Sequence, residues 1–252
     1  MNPLTRRKLI TGGVATVAGV SGLVAAERIA RRYGLLAPDC RGIYGPGEAL
    51  TYAVQRLFTG NRMAREFSRD MISKNPFANE VAPPNDTFKQ LAADNFANWR
   101  LTVDGMVAHP LSLSLSDLKS MPYSSQITEV VCEEGWSYIA EWIGTPVHEV
   151  LQEAGALPQA RYVVYRCTEP YIWDSVDIQE ARHPQTLLTW GMNDGDLPVR
   201  FGGPLRIRVP RQLGYKSVKY LTRLTVVDSF KNIGKGLGSN SPEGGYSWYA
   251  GI

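Results

Sequence analysis

The chain has 252 residues, 44% hydrophobic and 20% charged, with 24 glycines and 16 prolines. That balance excludes a disordered or fibrous polymer and leaves apolar content for one large core or two small ones. Arg6, Arg7 and Lys8 account for the whole formal charge of +3; the remaining 24 basic and 24 acidic residues cancel and give no support to nucleic-acid binding by a global basic field.

Residues 1–26 carry those three cations and no acid. Leu9 to Ala26 is a Gly/Ala/Val-rich stretch of 18 residues, at the short limit for a membrane span. Thr5-Arg6-Arg7 before it resembles a twin-arginine export signal; an ordinary secretory signal or an uncleaved anchor is the alternative. No A-x-A cleavage site is evident, so removal and retention as an N-terminal anchor both stay open. Either way the chain is expected in the periplasm. Twin-arginine export moves folded proteins, commonly ones already loaded with a cofactor, so a cofactor is expected too.

Residues 27–81 read as a helical lead-in. Leu50, Val54, Leu57 and Phe58 recur at helical spacing, followed by Met63, Phe67 and Met71, which predicts a helix packed through that stripe. Ala82-Pro83-Pro84-Asn85-Asp86 breaks it and opens the main domain, 82–252. There, residues 99–105 alternate as a strand into an Asp-Gly turn, and Ser116 is the expected N-cap of a short helix stopped by Pro122. Residues 125–132 form a strand ending at Cys132, and Thr145 and Pro146 open a helix that stops at Gly155. Strands are expected at 161–167, 202–210 and 216–228, and a short helix running into a turn at 184–194. With brief helices, many short strands and no βαβ alternation or repeat, the class is α+β with a β-rich core.

Three cysteines, Cys40, Cys132 and Cys167, leave at least one thiol outside any disulfide. No C-x-x-C, haem-attachment or iron–sulfur pattern occurs, and His109, His148 and His183 lack metal-ligand spacing. Cys132 is the informative thiol, because a strand delivers it directly into Glu133-Glu134-Gly135-Trp136. Free cysteine is often only a small buried hydrophobe, but one at a strand end beside a polar loop could be a nucleophile, a redox thiol or a soft-metal ligand. Adjacent carboxylates raise a free thiol's pKa, whereas a metal deprotonates it outright, so the ligand reading gains. A second constellation spans residues 202–221. Gly202, Gly203 and Gly214 permit close backbone approach, and Arg206, Arg208, Arg211, Lys216 and Lys219 supply cations. It suits a phosphate or another compact anion, or is a basic edge strand.

Together V-C-E-E-G-W-S, T-P-V-H-E-V-L, L-L-T-W-G-M-N-D-G-D-L-P and G-G-P-L-R-I-R-V-P-x-x-L-G-Y-K-S-V-K, in that order, resemble the sulfite-oxidase fold of molybdopterin enzymes. The resemblance spans roughly residues 82–249, and its C-x-E-x-W-S pattern is closest to the catalytic subunit of periplasmic methionine sulfoxide reductases. It implies a molybdenum–molybdopterin cofactor with Cys132 as thiolate ligand of the metal. It also implies pterin contacts from Asn85, Phe88 and Lys89, from Cys167 and Arg206, and from Ser217, Val218 and Lys219 around the phosphate. Cys167 stands where a relative has threonine, and Phe201 where asparagine is expected. The acids beside Cys132 are expected to orient through backbone amides. Trp136, Tyr138, Trp142, Tyr171 and Trp173 either wall the pocket or pack the core.

The resemblance thus implies a periplasmic oxidoreductase transferring an oxygen atom to or from a small-molecule substrate, with reduction of a sulfoxide or similar S/N-oxide first. Sulfite oxidation or dehydrogenation is the alternative. Acids and aromatics follow Cys132 where arginines would hold a dianion, which disfavours sulfite. With no haem or iron–sulfur motif, electrons are expected from a separate partner, a membrane haem protein or a soluble cytochrome. The chain ends soon after Lys219, so no second, immunoglobulin-like domain is expected, and a monomer or a subunit of a membrane complex is. A non-enzymatic exported binding module with a vestigial pterin pocket is the reading from another class.

Overall fold

The computed structural model describes residues 36–40, 45–79, 85–168 and 172–252. The export-signal segment 1–26, the boundary at 81/82 and Tyr171 lie outside the described residues.

Alternating apolar residues build two sheets. In the first, β1 (Leu101–Gly105), β2 (Leu111–Leu113), β5 (Tyr162–Cys167), β6 (Trp173–Asp177) and β10 (Leu221–Val227) lie in the order β2-β1-β10-β5-β6, with β1 parallel to β10 and the other neighbours antiparallel. In the second, β3 (Ser124–Val131), β4 (Ser137–Pro146), β7 (Leu187–Met192) and β8 (Gly195–Asp196) follow one another, and β9 (Arg206–Arg208) pairs with β7. Leu101, Val163 and Leu224 of the first sheet share one buried core with Leu188 and Ile207 of the second. That shared apolar layer sets the two sheets against each other, the arrangement expected when each sheet buries one face. A smaller cluster joins Val130, Tyr138, Trp142, Met192 and Phe201.

Residues 184–194 do not form the expected helix. Leu187–Met192 is strand β7, turning through Asn193 (φ +55°) into β8. Its backbone bonds to β4 on one side and β9 on the other, partners a helix would have left unpaired. The expected strand at 202–210 shrinks to β9, because Gly202 turns left-handed (φ +107°), and the one at 216–228 starts only at Leu221.

The helix caps also shift. Ser114, not Ser116, caps α3 (Leu115–Ser120): its Oγ accepts from the Asp117 N–H at 3.1 Å, and Asp117 Oδ2 accepts from the Ser114 N–H at 2.8 Å. Ser114→Ala should lower unfolding stability by about 1 kcal/mol, readable as a fall in urea midpoint at unchanged slope. Thr145 remains in β4, where its hydroxyl donates to the Leu118 carbonyl at 2.8 Å, and α4 (Val147–Glu153) starts after Pro146.

The lead-in departs most. Helix α1 (Gly45–Thr59) forms, but Leu50, Val54, Leu57 and Phe58 are exposed and its inward face is Tyr52 and Arg56. Arg56 pairs with Asp177 and, at 3.1 Å, with Glu180, while the Tyr52 hydroxyl donates to Asp177 at 2.9 Å. Arg211 completes the cluster, reaching Glu180 at 2.6 Å and the carbonyls of Thr59 and Gly60 at 2.9 Å. Burying a charge is costly unless opposite charges and hydrogen bonds meet it, and here that pairing, not an apolar stripe, docks the helix. Beyond α1 the chain is not helical at Met63 or Phe67. It runs beside the second sheet instead, with the Phe67 N–H donating to the Ile127 carbonyl at 2.9 Å, and makes a short 3-10 turn at Arg69–Met71. Among the described residues no helix is long and apolar enough to cross a membrane.

Candidate functional site

Strand β3 ends in a tight loop. The Gly135 N–H donates to the Cys132 carbonyl at 3.1 Å and the Cys132 N–H to the Trp136 carbonyl at 2.9 Å, so β4 starts directly opposite, Val131 against Ser137. Gly135 takes φ +89°, a backbone conformation that favours glycine. Sequence thus dictates a sharp reversal at the thiol.

Cys132 is buried, 7% exposed, and its Sγ lies 3.3 Å from Glu133 Oε2 and 3.8 Å from Glu134 Oε2. Glu134 Oε2 also accepts from the Trp136 indole at 2.7 Å. The acids therefore turn toward the thiol and the indole rather than toward backbone amides. Burial first, then the two carboxylates, push the thiol up to about 12, with a backbone hydrogen bond at Glu134 opposing them. A thiol raised in this way is a poor free-thiolate nucleophile at neutral pH. Among the described residues Cys40, Cys132 and Cys167 form no disulfide.

Cys132, Cys167, Arg206, Ser217, Val218 and Lys219 line a single cavity of about 170 Å³. They arrive from four parts of the fold: the β3–β4 turn, the end of β5, β9, and the segment before β10. Gly214 is where the two sequence constellations meet, since a Cβ there would lie 3.3 Å from the Val131 carbonyl and 3.6 Å from the Cys132 Cα. Arg206, buried in the wall, donates to the Phe201 carbonyl at 2.8 Å and the Ser217 carbonyl at 2.7 Å. The Lys219 ammonium donates to the Asn79 carbonyl at 2.8 Å and the Arg200 carbonyl at 3.2 Å. At Gly202, φ +107° and a Cβ position 2.8 Å from Lys219 Cβ leave no room for a side chain. Gly202→Ala should therefore cost about 1–3 kcal/mol, measured as a fall in unfolding midpoint, and displace Lys219.

Asn85, Phe88 and Lys89 do not line the cavity. Asn85 caps α2 (Asp86–Ala93), its Oδ1 accepting from the Phe88 N–H at 2.7 Å; Phe88 is buried 5.2 Å from Tyr220, which does line the cavity; and Lys89 pairs with Asp86 at 2.9 Å on the surface. The basic run also divides. Lys216 is fully buried in an ion pair with Asp174, and Arg211 belongs to the cluster under α1, so Arg206 and Lys219 are its cavity-lining members. Of the candidate wall aromatics, Trp136 and Tyr138 reach the cavity, whereas Trp142 and Trp173 are packed inside.

Sequence reasoning missed Phe77, Asn79, Tyr215 and Tyr220 in the lining. Phe77 and Asn79 come from the lead-in, which carried no local signal of a site. They are placed by pairing along β4, where the Ser73 N–H donates to the Ile139 carbonyl at 2.9 Å. Phe77 then stands 5.1 Å from Trp136, which in turn stacks on Tyr138 at 6.0 Å and 11°. The result is an aromatic row beside an acidic turn.

Among the described residues no group of three or more histidine, cysteine or acidic side chains is placed to hold a metal ion. A metal at Cys132 would take its remaining ligands from a bound group rather than from those side chains. A single soft thiolate, facing cations suited to a compact anion, fits such a group.

Residues 88–232 match the family described as oxidoreductase molybdopterin binding domain. An Azospira oryzae protein with the provisional name protein-methionine-sulfoxide reductase subunit YedZ1 is 35% identical over 195 residues, 77% of this chain and 70% of that one. The protein-methionine-sulfoxide reductase catalytic subunit MsrP of Xanthomonas campestris pv. campestris is 32% identical over 187 residues, 68% of this chain and 58% of its own length. The crystal structure of the sulfane dehydrogenase SoxCD from Paracoccus pantotrophus has a TM-score of 0.50 at 23% identity, over 52% of this chain and 38% of that one. That likeness concerns the fold alone and agrees with a β-rich α+β architecture of sulfite-oxidase type. The chain belongs to the oxidoreductase molybdopterin-binding domain family and is a molybdopterin-dependent oxidoreductase.

Proposed function

We propose that the chain is the catalytic part of a periplasmic molybdenum enzyme that reduces a sulfoxide or a similar S/N-oxide. The observation that carries the reading is the meeting of Cys132 with Arg206, Ser217 and Lys219 around one cavity.

The residues present fit the cofactor. Arg206 keeps a buried Nε with no partner among the described residues, a donor in want of an acceptor. Ser217 and Lys219 add a hydroxyl and an ammonium, which suit a phosphate. Cys132 would hold the metal, and Arg206, Ser217, Val218 and Lys219 would hold the pterin and its phosphate. When bound, the cofactor supplies two-electron oxygen-atom transfer, so the protein's contribution is position and electrostatics.

Substrate selection falls to the loop after Cys132. Glu133 and Glu134 place negative charge beside the thiol, which repels sulfite and tolerates a neutral or cationic oxide. The row Phe77, Trp136 and Tyr138 offers aromatic faces and edges to an alkyl sulfur group, a contact that sulfur makes favourably. Relatives named as a reductase subunit and a catalytic subunit support electron supply from a separate partner, a membrane haem protein or a cytochrome. Thr5-Arg6-Arg7 supports export in the folded, loaded state.

The test is turnover by the molybdenum-loaded protein, with an artificial electron donor or acceptor, on a panel of alkyl sulfoxides, N-oxides and sulfite. Sulfoxide reduction is expected and sulfite turnover is not. Sulfite oxidation at a higher kcat/KM than any sulfoxide reduction would overturn the substrate assignment. Loaded protein inert to the whole panel would favour a binding module.

A further inference from the structure

Arg206 and Arg208 lie on the same side of β9, two residues apart, and both guanidinium groups pack against the ring of Trp142, at 5.2 and 5.4 Å. Arg206 is 4% exposed and Arg208 not at all. Neither is paired with a carboxylate among the described residues. Their hydrogen bonds go instead to the carbonyls of Phe201, Ser217 and Glu129 and to the Ser217 hydroxyl, with the Tyr138 hydroxyl beside Arg206, and the Nε of each lacks a partner there. This differs from the other buried cations, since Arg56, Arg211 and Lys216 each meet an acid. Burial and the neighbouring Arg206 push Arg208 down to about 9, still charged at neutral pH. Two buried like charges that meet no acid among the described residues call for a counter-charge from elsewhere.

Ser217 Oγ accepts from the Val209 N–H at 3.0 Å and from Arg208 Nη1 at 3.3 Å. A hydroxyl has two acceptor sites and one proton, so both acceptor sites are occupied and the proton is left to be donated. Ser217 lines the cavity, and the hydrogen bonds its Oγ makes there are the two it accepts. The arrangement leaves the Ser217 proton to be donated at the cavity where the phosphate is proposed above.

We infer that Arg208, which does not itself line the cavity, is a positioning residue for the cofactor: it fixes the Ser217 hydroxyl as a donor into the cavity and, with Arg206, forms a buried cationic base whose counter-charge is the bound cofactor's anionic group. The inference rests on the cofactor reading above and adds a residue that touches the cofactor only through another.

The test is a double-mutant cycle on the full chain prepared with its molybdenum cofactor, comparing wild type, Arg208→Met, Ser217→Ala and the double variant. The readouts are the rate at which molybdenum and fluorescent pterin leave the protein on dialysis, and the rise in Tm from cofactor-free to loaded protein. Arg208→Met should release the cofactor about 10–100-fold faster than wild type and lose most of the loading rise in Tm. The double variant should be no worse than the more severe single one, because both act through the same hydroxyl. A purely structural arginine would instead lower the Tm of both forms equally, leave release unchanged and give an additive cycle, and any of these results overturns the inference. If Arg208→Met does not fold, Arg208→Lys decides: release faster than wild type but slower than Ser217→Ala supports it, and wild-type release overturns it. Wild-type protein from a cofactor-competent host that carries neither molybdenum nor pterin would overturn the cofactor reading and this inference with it.

Discussion

Cys132→Ser should yield a folded protein that has lost at least about 100-fold in turnover. Changes to residues that merely support metal ligands cost 10–100-fold, so loss of the ligand itself should cost no less. The fold should survive because Cys132 is a small side chain at a turn made by backbone hydrogen bonds from Cys132, Gly135 and their neighbours, none of which serine removes. Serine would substitute a hard, weakly acidic oxygen for a soft thiolate, while Arg206, Ser217 and Lys219 would still line the cavity proposed to hold the pterin. Pterin content should therefore fall less than turnover. The measurements are sulfoxide turnover with an artificial donor, and molybdenum and pterin per chain. Wild-type turnover in the variant would remove Cys132 from the metal.

The second large effect concerns stability. Glu180 is fully buried and answers two arginines, Arg56 at 3.1 Å and Arg211 at 2.6 Å, so Glu180→Gln leaves both short of a counter-charge. Breaking such a cluster from one side should cost about 3–5 kcal/mol. For a chain of this size that is a fall in Tm of roughly 6–20 °C. The pH dependence follows from the same contacts. Burial alone raises the Glu180 carboxyl, but the Arg211 hydrogen bonds and the charges of Arg56 and Arg211 outweigh it and hold the group below its ordinary range. A depressed carboxylate stabilises the fold above its unfolded value of about 4.3, and that stabilisation is lost as pH falls through the folded value. Wild type and Glu180→Gln should differ fully at pH 7 and converge in strong acid. A pH-independent difference in Tm would mean that the carboxylate charge is not what docks α1.

Some of this was legible in local sequence. Strand β3 ends at Val131 and delivers Cys132 into the turn, close to the end its alternation predicts, because Val130 and Val131 favour a pleated strand and Gly135 permits the reversal. The run around Ser217 and Lys219 was equally readable as an anion site, since glycines, cations and a hydroxyl are grouped within a few residues. Elements that answer to distant partners were not legible. Leu187–Met192 has no local feature that favours a strand over a short helix; β4 and β9 supply the backbone bonds that decide it. The stripe on α1 suggested a packed apolar face, yet the helix turns inward through Tyr52 and Arg56, because Asp177 lies 121 residues from Arg56 in the chain and 2.9 Å from the Tyr52 hydroxyl in space.

The sequence by itself determined the thiol at the turn, the acids and aromatics after it, and the cationic run that follows downstream. Each is a matter of residue type and short spacing. Only the tertiary structure decided which cations face the cavity. Lys216 and Arg211 look identical in type to Lys219 and Arg206, but Asp174 and Glu180 neutralise the first pair, 42 and 31 residues away. Arg206 and Arg208 meet no acid among the described residues, and Phe77 and Asn79 were carried from the lead-in to the cavity rim. Charge pairing and strand pairing act through space, so residue order alone does not encode them.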